Sequence, residues 1–201
     1  MPIRNDREYR ISDKIEIREE NEKVIVRGYA STFDPYTLFE DPDGYTWREQ
    51  IMPDAFNEAD LSDVVFLRDH SGQVYARTSN GLLVLRVDGH GLLAETDLTQ
   101  TEAAREMMKD IQIGNYTQMS FSFIVAEDRY EEKDRVVTRY IEKIKKVYDV
   151  SAVAFPANPG TDIGLSYRGL FDGAIKEIQT ERSERKRAIE KLRLKIKLIG
   201  G

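Results

Sequence analysis

Residues 117–125, TQMSFSFIV, and residues 148–159, YDVSAVAFPANP, decide how this chain is read. Both are rich in Val, Phe and Ile, the composition of strands that face a core. Each also carries polar residues that a purely structural strand would not need. Ser120 sits inside Met119-Ser120-Phe121-Ser122-Phe123, and Asp149 heads Asp149-Val150-Ser151-Ala152-Val153-Ala154-Phe155. Side chains on a strand repeat every second residue, so Ser120 and Ser122 share a side. Pro156 and Pro159 then stop the second strand.

Working outward, residues 135–147 read as another strand after a charged turn at 127–134. Before the first stretch the period changes. Residues 101–113 hold good helix formers, with Thr99 or Thr101 as cap and Gly114 as terminator. Residues 82–87 and 92–98 flank Asp88-Gly89-His90-Gly91, a hairpin turn. Residues 64–67 form a short apolar strand that ends at Asp69-His70. Residues 52–59 read as a short helix or turn, and 34–46 as a loop rich in Asp, Pro and Gly. Strand signals at 14–18 and 23–29 open the pattern, with a bulge read at Gly28. The body is thus α+β and mostly β. Short strands at this spacing predict a closed or nearly closed barrel.

Composition narrows the function. The 201 residues are 40% hydrophobic and 33% charged, which supports a packed core under a charged surface. Cysteine is absent, so disulfides, thiolate metal sites and a cysteine nucleophile are excluded. Two histidines, His70 and His90, are too few for a three-histidine metal centre. No phosphate-binding glycine loop occurs, and no cofactor is expected. No apolar run approaches the length of a membrane span, and the first residues lack the apolar stretch of a signal peptide.

Charge is uneven. Residues 181–199 carry eight Lys or Arg against three Glu, a balance of +5; the chain totals −6, which leaves −11 elsewhere. Residues 166–201 are therefore read as a basic, helical C-terminal extension on a domain spanning 1–165. The acidic body argues against nucleic acid, which needs a basic face.

His70, Ser120 and Asp149 lie on separate strand segments that only a folded sheet could assemble. A serine hydroxyl needs a base to take its proton. Histidine is the usual base, and a carboxylate orients it. Two rivals stand beside these. Ser122 could replace Ser120, and His90 could replace Asp149. No GxSxG elbow is present.

The ordered set of segments carries a resemblance. It runs Val26-Arg27-Gly28-Tyr29-Ala30, Ile51-Met52-Pro53-Asp54-Ala55-Phe56, Phe66-Leu67-Arg68-Asp69-His70, Gly91-Leu92-Leu93-Ala94, the Ser120 segment and the Asp149 segment through Pro159. In that order and spacing, over about residues 14–163, it resembles the prohead proteases of tailed bacteriophages, which are similar in fold to the herpesvirus assemblins. The resemblance implies an assemblin-like antiparallel β-barrel with flanking helices. It implies a serine endopeptidase with His70, Ser120 and Asp149 as catalytic residues. It implies as substrates the phage major capsid protein, its scaffold segment and the protease itself, cut inside the assembling prohead in the host cell cytoplasm. A homodimer would fit the assemblin pattern. Arg168 is a candidate counterpart to the arginine that assists in assemblins, although no motif carries it over. The chain departs from the family pattern at Ser122 and Asp54, where glycine is usual. The competing reading is a non-enzymatic capsid-assembly or scaffold-docking protein that keeps the protease fold.

Overall fold

The computed structural model describes residues 7–20, 23–154, 180, 183–184 and 187–191. The chain divides into two compact units, Met1–Pro159 and Gly160–Gly201. In the second, the described residues are helical. Arg168 and the Pro156–Pro159 stop lie outside the described residues, as does most of the basic extension.

The first unit is built on one long hairpin. Strand β10, Gln118–Lys133, pairs antiparallel with β11, Val136–Val153. Asp134 (φ 50°) and Arg135 (φ 65°) join them. Positive φ at both central residues gives a turn whose twist suits a two-residue hairpin. The charged turn expected at 127–134 is therefore mostly strand, and the two strands expected at 135–155 are one. Charged residues mislead here because the distal part of β10 is exposed and needs no apolar face.

Around this hairpin lie β1, Glu8–Lys14, against β10, and four strands beside or beyond β11. Strand β5, Thr46–Ile51, runs parallel to the first part of β11, and β6, Val65–Arg68, runs parallel to its last part. Strands β4, Tyr36–Glu40, and β7, Ser71–Arg77, pair outside β5 and β6. Two parallel pairings mean that this seven-stranded sheet is mixed, not wholly antiparallel as expected. The loop expected at 34–46 contains β4. A second, antiparallel sheet has the order β2 (Glu16–Glu20), β3 (Lys23–Thr32), β9 (Gly91–Asp97), β8 (Leu83–Val87). Among the described residues no strand pairing closes the two sheets into one barrel.

The core lies under β10 and β11. Met119, Phe121 and Phe123 pack with Val26, Phe33, Phe56, Phe66 and Val150, all buried. Burying each such aromatic side chain contributes about 1.5–3 kcal/mol. Helix α1, Glu102–Gln112, adds Ala104, Met107 and Ile111 from one face. Its cap is Thr101, whose hydroxyl accepts the Ala104 N–H at 3.1 Å. The β8–β9 hairpin turns at Asp88-Gly89-His90-Gly91, as its sequence predicts. The bulge expected at Gly28 falls instead at Ala30, between the Tyr29 and Ser31 pairings.

A candidate serine–histidine–aspartate site

The site forms where β10, β11 and the β6–β7 turn meet. Ser120 and Ser122 project from β10 on the side opposite Phe121 and Phe123. Their cross-strand partners on β11 are Ser151 and Asp149. Next to β11 comes β6, and its two-residue turn is Asp69-His70. Both turn residues take left-handed backbone (φ 46° and 54°), which costs on the order of 1–2 kcal/mol for a non-glycine residue. Local bonds hold the turn. Asp69 N–H donates to Ala152 O at 3.1 Å, and His70 N–H donates to Ser151 Oγ at 3.2 Å. Ala154 N–H reaches Asp69 Oδ1 at 3.3 Å. The turn throws the His70 ring back across the sheet.

There the ring meets both partners. His70 Nε2 lies 2.6 Å from Ser120 Oγ, and Nδ1 lies 2.6 Å from Asp149 Oδ1. An ionised carboxylate only accepts, so Nδ1 carries a proton, and Nε2 is an acceptor whenever the ring holds that one proton alone. Tyr9 meets the ring edge-on, with centroids 4.7 Å apart. Ser120 and Asp149 are buried, while the His70 side chain keeps 18% exposure.

Asp149 is held on both oxygens. Ser151 Oγ donates to Oδ1 at 2.8 Å, and Ser122 Oγ donates to Oδ2. Burial pushes the carboxyl up, but the hydrogen bonds and charge of His70, with the Ser122 and Ser151 bonds, outweigh it. The net displacement is downward, so Asp149 is an anion.

The three residues singled out in sequence thus form one hydrogen-bonded chain. The rivals do not enter it in the roles considered. The Ser122 hydroxyl is committed to a carboxylate rather than to the imidazole. His90 sits in the β8–β9 turn with its ring 4.4 Å from Tyr29, and the position beside His70 Nδ1 is filled by Asp149. Sequence reasoning missed Ser151, although it lies two residues past Asp149 and so shares its side of the strand. It also missed β1, whose Arg10 carbonyl accepts from Ser120 Oγ at 2.8 Å.

The family model of the caudovirus prohead serine protease matches residues 12–173, most of the chain. This chain belongs to that family. Comparison with curated proteins and with solved structures gave no match. Membership brings a general activity, serine-peptidase processing of capsid protein inside an assembling prohead. No helix among the described residues is long and apolar enough to cross a membrane.

Proposed function

We propose that this chain is a serine endopeptidase with Ser120 as nucleophile, His70 as general base and Asp149 as the group that orients and charges-balances His70. Its substrates are the major capsid protein, the scaffold segment and the protease itself, cut during prohead maturation. The observation that carries the reading is the unbroken relay from Ser120 Oγ through His70 to Asp149, with both links at 2.6 Å. In this mechanism Ser120 Oγ attacks the scissile carbonyl carbon while its proton passes to His70 Nε2. The imidazolium is stabilised by the Asp149 anion. It returns the proton to the leaving amine, and water then hydrolyses the acyl-enzyme by the same base.

We read residues 1–165 as the protease domain and the basic 166–201 extension as a docking segment for an acidic scaffold or capsid surface. The two sheets are read as parts of an assemblin-like barrel, because Ile15 alone separates β1 of one sheet from β2 of the other. Co-expression with the phage major capsid protein tests the function. Shortened capsid protein should accompany the wild-type chain and be missing with Ser120→Ala. Capsid protein that stays full-length with both would favour the non-enzymatic assembly reading.

A further inference from the structure

We infer that β1 is a resting plug: it occupies the free edge of the nucleophile's strand and holds Ser120 out of reaction until it is displaced. This rests on the assignment of Ser120 as nucleophile. Three observations carry it.

Strand β1 pairs along β10 with Ile11 opposite Ser120 and Tyr9 opposite Ser122. Ser120 has no exposed surface, which a nucleophile awaiting a polypeptide cannot afford. Second, a hydroxyl has one proton. Ser120 Oγ has two acceptors, His70 Nε2 at 2.6 Å and Arg10 O at 2.8 Å. While the proton points to Arg10, His70 cannot take it. The Arg10 carbonyl presents its oxygen to Oγ, the wrong end of the group for attack at carbon, so β1 is an occupant and not a substrate. Third, β1 is clamped by charge on its other side. Arg10 Nη2 meets Glu8 Oε2 and Glu49 Oε2, both at 2.6 Å, and Arg139 Nη1 meets Glu8 Oε2 at 2.6 Å. The clamping residues Glu8 and Arg10 precede residue 12, where the family match begins. Peeling β1 away frees the Gln118–Phe123 edge for an extended peptide, which can add to it as a strand.

The test uses the full-length chain and a small fluorophosphonate, with adduct on Ser120 followed by intact mass and peptide mapping. Glu8→Gln keeps the shape of the clamp and removes one of its two carboxylate charges, leaving Glu49 in place. Ile11→Gly weakens the pairing opposite Ser120. Thermal melts establish that both variants fold, and amide exchange reports β1 opening. The wild type should label slowly, and the double variant at least about tenfold faster, in step with β1 exchange. A labelling rate unchanged by either substitution overturns the plug and leaves the nucleophile assignment standing. No Ser120 adduct in any of the chains overturns the nucleophile assignment and the plug with it.

Discussion

Asp149 has two tasks, and they can be separated at the level of the residue. It fixes the His70 tautomer through Oδ1, and against the cost of burial its carboxyl is held down by His70 first and by the Ser122 and Ser151 hydroxyls after it. Asp149→Asn keeps the shape but lets an amide donor face Nδ1. The expected loss in kcat is on the order of 10⁴-fold, the scale for a triad aspartate, with a much smaller change in melting temperature. An Asp149→Asn variant as active as the wild type would remove Asp149 from the site. Ser151→Ala removes the bridge between the His70 backbone and Asp149. It should lower kcat about fivefold, since a hydrogen bond of this kind contributes roughly 1 kcal/mol. His90→Ala is the matched control and should leave kcat nearly unchanged. His70, Ser120 and Asp149 stand out in the sequence as polar residues within or at an end of apolar strands, and the family resemblance is what joins them into one candidate site. Ser151 was not legible there, because one serine among Val and Ala carries no mark until its partners are known.

At the scale of the element, the informative failure is β1. Glu8 and Arg10 are buried, and a strand with buried charges gives no apolar alternation to read. Their partners, Glu49 on β5 and Arg139 on β11, lie 39 and 129 residues away from Arg10 in sequence, so only the fold shows that the charges cancel. Glu49 accepts from Arg10, Arg139 and Tyr36. Glu49→Gln should therefore cost about 3–5 kcal/mol in urea unfolding, as expected when a buried ionic cluster loses one member. Glu8 gives the pH dependence. Burial raises its carboxyl, but the Arg139 and Arg10 guanidiniums outweigh this and hold it below the usual carboxylate range. Its stabilisation is then complete above the ordinary glutamate value near ~4.3 and is lost as pH falls through the lower folded value. Melting temperature should drop in that acid window, and the drop should be smaller in Glu8→Gln. Elsewhere the sequence spoke plainly. The helix cap at Thr101 and the turn before Gly91 both follow local rules. A Cβ on Gly91 would lie 1.9 Å from the Ser31 carbonyl oxygen, so Gly91→Ala should force β3 and β9 apart and markedly lower the melting temperature.

For the whole molecule, the sequence supported a mostly β body, but the closure it predicted has no strand pairing behind it among the described residues, and it did not show the parallel pairings. Those depend on which long-range partners β11 takes, and periodicity does not encode partners. The charge division between the acidic body and the basic extension is a property of the whole chain. Ending the chain before Glu181 should leave cleavage of a peptide intact, abolish entry into assembling shells and reduce the salt dependence of association. An insoluble or unfolded product would place the extension in the core and remove the docking role. The claim on which all of this turns is the identity of the nucleophile. The most direct measurement is the rate at which purified Ser120→Ala and Ser122→Ala variants cleave the capsid protein's scaffold segment. Ser120→Ala should fall by roughly 10⁶-fold in kcat, while Ser122→Ala, which loses one bond to Asp149, should stay within about a hundredfold of the wild type. The reverse order, or an active Ser120→Ala, would contradict the account.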